Sequence, residues 1–111
     1  MGFAKFITID IGPVPSGSIV EKLWESDEEF RIRRIFFVEK AGNPINAVEV
    51  TIRMNGTVYA EDYVPAVILS HINPLNPELD ISITKGTKIV FGLKNNETGV
   101  RNLYAVLELW R

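Results

Sequence analysis

The alternation from Ala47 to Met54, and the Asn-Gly pair that ends it, constrain this chain more than any other stretch. Val48, Val50, Ile52 and Met54 alternate with Glu49, Thr51 and Arg53, after which Asn55-Gly56 leads into Thr57-Val58-Tyr59. A period of two puts the apolar set on one face of a strand. Asn-Gly favours the positive φ angles of a type I′ turn, whose twist matches that of the strands it joins. The segment reads as a complete β-hairpin with one face buried.

The same period recurs along most of the sequence. A first strand is expected over Lys5 to Ile11, broken by Gly12-Pro13-Val14-Pro15-Ser16-Gly17, because a proline cannot donate to a ladder. A second runs from Ser18 to Trp24. After the acidic segment Glu25-Ser26-Asp27-Glu28-Glu29, a third spans Phe30 to Val38. Strict alternation there places Phe30, Ile32, Phe36 and Val38 on one face and Arg31, Arg33, Ile35 and Phe37 on the other, with Arg34 the odd member of the apolar face. Gly42-Asn43-Pro44 turns into the hairpin.

Glu61 to Pro77, with Pro65, Pro74 and Pro77, reads as a long connection carrying one short strand or a helical turn around Val67-Ile68-Leu69. Leu79 to Thr84 alternates again. Lys85-Gly86-Thr87 turns into Lys88 to Lys94, where Gly92 suggests a bulge. Val100 to Arg111 forms the last strand. About eight strands, spaced roughly 8 to 12 residues apart, predict an all-β, antiparallel, jelly-roll-like β-sandwich, with a partly open barrel as the close competitor.

At 111 residues the chain is one domain, residues 1–111, large enough for a core without disulfides or metals. Its hydrophobic fraction of 46% is that of a globular protein, and its formal charge of -2 gives no general attraction for nucleic acid or anionic membranes. There is no cysteine, so disulfides and thiol nucleophiles are excluded. Met1 to Ile11 lacks the basic n-region and apolar core of a signal peptide, and no stretch reaches transmembrane length, so a soluble, cytoplasmic protein is expected. The sequons Asn55-Gly56-Thr57 and Asn96-Glu97-Thr98 read as ordinary turns. The absence of Gln and Cys, with many Glu, Lys and Arg, points to a heat-adapted, thermostable protein, and Asn55-Gly56, prone to deamidation, points the other way.

Catalytic chemistry finds little support. His71 is the single histidine, too few for the His-and-carboxylate metal set of cupins, and Ser70 beside it lies in no G-x-S-x-G turn. Glu61, Asp62, Glu78 and Asp80 are glycosidase candidates only if two face each other across a cleft, and no calcium-loop pattern is present. Gly12 to Ser18 lacks the lysine of a phosphate loop, and its prolines remove backbone donors. No enzyme activity, cofactor or metal is expected. Arg31, Arg33 and Arg34 follow Asp27, Glu28 and Glu29, acids expected to neutralise them in an ion-pair network within or between subunits.

Two stretches are apolar on both faces, Ile35-Phe36-Phe37-Val38 and Leu103-Tyr104-Ala105-Val106-Leu107, whereas a sandwich strand normally solvates one. Either an overhanging loop such as Glu61 to Pro77 covers the second face, or a subunit interface does. Interface positions are then Ile35, Phe37, Tyr104, Val106 and Trp110, with Arg31 and Arg33 pairing with acids at the rim. The competing reading is a carbohydrate-binding module using Trp24, Tyr59, Tyr63, Asn95 and Asn96.

The order of Pro15-Ser16-Gly17-Ser18, the strand Phe30 to Ile35, the Asn55-Gly56 hairpin, Asp80-Ile81-Ser82-Ile83 with Lys85-Gly86, and Leu93-Lys94-Asn95-Asn96 before a long last strand resembles the small jelly-roll domains of viral coat and particle-associated proteins. The resemblance spans nearly the whole chain as a pattern and contains no diagnostic motif. It implies a non-enzymatic, virion-like building block that assembles as a homo-oligomer through sheet edges and apolar faces.

Overall fold

The structure is a computed structural model that describes residues 3–54, 57–69 and 78–110. Eight strands follow one another: β1 (Phe3–Val14), β2 (Ile19–Glu25), β3 (Phe30–Glu39), β4 (Val48–Met54), β5 (Thr57–Pro65), β6 (Ile81–Ile83), β7 (Lys88–Asn95) and β8 (Arg101–Trp110). They form two four-stranded antiparallel sheets, ordered β1-β8-β3-β6 and β2-β7-β4-β5. The pairs β4·β5, β3·β6, β2·β7 and β1·β8 are nested around the central hairpin and alternate between sheets. A long two-stranded ribbon folded over itself gives this connectivity, that of a jelly roll. Met54 pairs with Thr57, so two residues separate the strands; the Asn55-Gly56 turn itself lies outside the described residues.

Alternating residues from both sheets fill the space between them. Phe37, Ile32, Ile35, Leu103 and Leu107 from one sheet meet Phe91, Ile89, Leu93 and Val48 from the other, all fully buried. Phe37 and Phe91 pack edge to face, ring centroids 6.1 Å apart, and tie β3 to β7 across the sandwich. A 3₁₀ turn, Ala66–Leu69, follows β5 and contacts β3, β4 and β5. Its Ala66 and Leu69 join the core. The described part of the long connection thus closes the gap between the sheets instead of lying over an outer face; Ser70, His71, Pro74 and Pro77 lie outside the described residues.

Four strand readings need correction, three of them small. β1 does not end at Ile11: Pro13 pairs with Asn102 and Val14 with Arg101, which an edge strand permits because a missing N–H there costs no ladder bond. The extra residue between Asp10 and Gly12 is absorbed by a bulge, with Gly12 at φ +84°. β5 runs on through Glu61 to Pro65. Gly92 marks no bulge, since β7 keeps unbroken register with β2 and β4. Gly92 sits between the inward Phe91 and Leu93 and is buried on the outer side, where Glu21 of β2 and Arg53 of β4 pair across β7.

The most consequential correction concerns β3. Ile32 pairs with Leu109 and Arg34 with Glu108, so Arg33 is an extra residue, and the bulge reverses every facing after it. Phe30, Ile32, Ile35 and Phe37 point inward, and Phe36 and Val38 point outward. Ile35 and Phe37, expected at an interface, are 1% and 0% exposed and belong to the monomer's core.

Glu39, 7% exposed, ends β3. Its Oε1 accepts hydrogen bonds from the amides of Ala41 (2.7 Å) and Asn43 (3.0 Å), and its Oε2 accepts one from Asn102 N (2.9 Å). Burial pushes its pKa up, but the amides of Asn43, Asn102 and Ala41 and the charge of Arg101 outweigh that and hold the carboxyl below its ordinary 4.5. A pKa lowered by folding contributes stability above the unfolded value, and that contribution is lost as pH falls below 4.5. Glu39→Gln turns a donor toward these amides and should cost about 1–3 kcal/mol at neutral pH. Urea denaturation across the acid range should then show a shallower loss of stability below pH 4.5 than in the parent protein.

Candidate functional surface

The surface with the clearest departure from an ordinary solvated sheet is the outer face of β1-β8-β3-β6. β8 and β3 are its two central strands, and their outward side chains are apolar. Val106 stands at the middle, flanked in register by Thr8 and Phe36. One row along, Tyr104 lies between Asp10 and Val38; on the other side Glu108 lies between Phe6 and Arg34. Phe36, Val38, Tyr104, Val106 and Trp110 are half-buried, and Phe6 is 55% exposed. Both stretches that read as apolar on two faces therefore adjoin, and their outer faces form one patch.

Charges on and around this patch are met within the chain. Glu108 Oε2 accepts from Arg34 Nη1 (3.3 Å) and from the indole Nε1 of Trp110 (2.8 Å). Arg34 also reaches Glu78 at 3.5 Å, and Arg33 pairs with the same carboxylate. The Arg33 guanidinium lies 5.1 Å from the Trp110 ring centre, a cation–π contact that fixes the indole. Arg31 Nε lies 3.1 Å from Asp80 Oδ1. The acids that meet Arg31 and Arg33 are thus Asp80 and Glu78, and Glu28 pairs instead with Lys5 at 3.2 Å. At the other end Lys40 Nζ is 2.7 Å from Asp10 and 4.6 Å from the centre of the Tyr104 ring. The Lys40 hydrogen bond, ahead of all else, holds the Asp10 carboxyl below its ordinary value and the Lys40 amine above its own.

The opposite outer face is different in kind. Its middle carries Gly92 beneath the Glu21–Arg53 pair, with Glu49, Thr51, Lys88 and Lys94 around it. Exposed Ile19 and Leu23 are confined to edge strand β2.

The residues proposed for sugar binding are not brought together. Trp24 lies on β2 and Tyr59 and Tyr63 on β5, the opposite edges of one sheet; the side chains of Tyr59 and Tyr63 lie outside the described residues. Asn95, at the far end of β7 from Trp24's neighbour Ile89, is fully buried and structural. Its Nδ2 donates to Val14 O (2.8 Å) and Gly99 O (2.9 Å), and its Oδ1 accepts from Glu97 N (2.8 Å). Asn96 Nδ2 donates to Glu49 at 2.6 Å.

Where β6, β3 and β8 end together, the sheet leaves an open recess of about 310 Å³ lined by Glu29, Phe30, Arg31, Ser82, Ile83, Thr84 and Trp110. It borders the apolar patch at its Trp110 margin. No alternation pattern announces it, because it arises from three strands that are distant in sequence.

No family model matches the chain, and no curated protein matches it. Among solved structures, the core of Drosophila NLP, whose structure is described as giving insight into pentamer formation and histone binding, is similar over 97% of this chain and 100% of that one. The identity is 12% and the TM-score 0.43, a likeness too loose to transfer an assembly or a partner.

Proposed function

We propose that this protein is a non-enzymatic assembly module, coat-like in role, that associates with a second copy of itself through the outer face of β1-β8-β3-β6. The observation that carries the reading is the row Thr8, Val106, Phe36 with Tyr104 and Val38 beside it: an apolar centre on the two innermost strands, with nothing laid over it among the described residues. Such a face gains free energy by leaving water. A second copy is the partner that fits, because each charge at the patch is answered within its own chain and the surface presents no net sign that would call for an oppositely charged protein.

Edges are poor alternatives. β1 carries two bulges and Pro13; β2 turns Lys22 inward opposite Phe91; β5 is bulged and ends in Pro65; β6 has three residues. These are the devices by which sheets resist edge-to-edge pairing. Four strands at ~4.8 Å spacing and ~3.4 Å per residue offer roughly 500 Å² per copy, or roughly 1,000 Å² for a pair, the lower bound of a specific interface. Association should therefore be reversible and concentration-dependent. Light scattering across a dilution series should give a mass that falls from a multiple of the chain toward a single chain; a single-chain mass at every concentration would defeat the proposal.

A further inference from the structure

We propose that the recess at the joint end of β6, β3 and β8 binds the ring of a neutral sugar, with Trp110 as its platform. One wall is an indole held at two points, by its Nε1–H on Glu108 and by the Arg33 guanidinium over its ring, so little freedom is lost when a ligand stacks there. Ser82 and Thr84, both exposed, bring hydroxyls to the recess, and Arg31, Glu29, Phe30 and Ile83 complete the lining. At about 310 Å³ the recess is at the small end of ligand sites, suited to one ring.

The chemistry of the lining selects the ligand. Arg31 and Glu29 are the charged side chains of the lining and are opposite in sign, which disfavours a phosphate, a carboxylate and a cation alike. An apolar molecule would strip water from Arg31, Ser82 and Thr84 without replacing its hydrogen bonds. A neutral pyranose offers hydroxyls that both donate and accept, and an apolar C–H face for the indole. The site lies at the strand ends and does not depend on pairing through the apolar face.

The test is a titration of the intact protein with methyl pyranosides of gluco, galacto and manno configuration, followed by ligand-observed NMR and tryptophan fluorescence. At least one should bind. Ser82→Tyr, which fills the recess from an exposed strand position, should abolish binding, and Trp110→Leu should weaken it about tenfold or more. Trp24→Phe, on the other sheet, should leave it unchanged. Failure of every glycoside to bind, or binding that survives both Ser82→Tyr and Trp110→Leu, would overturn the assignment.

Discussion

Val106→Arg should convert the protein to a single chain at concentrations where the parent associates, while leaving its thermal midpoint nearly unchanged. Val106 faces outward from the central strand, with Thr8 and Phe36 as its cross-strand neighbours. A half-exposed position accepts a long charged side chain that reaches back to water. In a pair formed face to face the same charge would be taken out of water, and it would approach its own copy. Burying an unmatched charge at such a contact costs several kcal/mol, which weakens dissociation constants by a factor of about 100 or more. The split between assembly and folding is the point of this variant. If Val106→Arg associates as the parent does, the outer face is not the contact.

Phe37→Ala should have the opposite profile, a large loss of stability that reaches assembly only because the fold itself is lost. Phe37 is fully buried and meets Phe91 of the other sheet edge to face. Truncating a buried Phe removes its transfer free energy and leaves a cavity between two sheets that cannot close without shifting their strands, for about 3–5 kcal/mol. Against the roughly 5–15 kcal/mol that holds typical domains folded, this is about a fifth or more of the total. Urea denaturation should show the midpoint drop with the slope retained. A Phe37→Ala protein as stable as its parent, yet unable to associate, would mean that Phe37 faces outward and that the bulge at Arg33 is wrongly placed.

That bulge also shows where sequence reasoning succeeds and where it stops. The hairpin around residues 55 and 56 and the eight-strand count follow from period-two alternation, which is a local property of each strand. The two stretches with apolar residues on both faces were legible for the same reason. Their being neighbours at the centre of one sheet was not, because strand order depends on contacts between distant segments. In β3 the signal was present in the spacing: Ile32 and Ile35 are three apart, with two arginines between, and an inward face with a gap of three needs one extra residue. Strict alternation applied across that gap turns Ile35 and Phe37 outward, when it is Phe36 and Val38 that join Tyr104 and Val106.

Other features were out of reach for physical reasons. Glu39 reads as a surface acid, and only the return of β8 brings Asn102 N to its carboxylate. Asn95 reads as a loop residue open to a ligand, yet Val14 and Gly99 occupy its amide. The recess beside Trp110 needs β6, β3 and β8 to end together, which no single stretch encodes.

Hydroxyl-radical footprinting of the parent protein at high and low concentration tests the central claim most directly. Phe36, Tyr104 and Val106 should become protected as concentration rises, while Ile19 and Leu23 on the other sheet keep a constant rate of modification. Equal rates at both concentrations for the first group, or protection of Ile19 and Leu23 instead, would contradict association through the outer face of β1-β8-β3-β6.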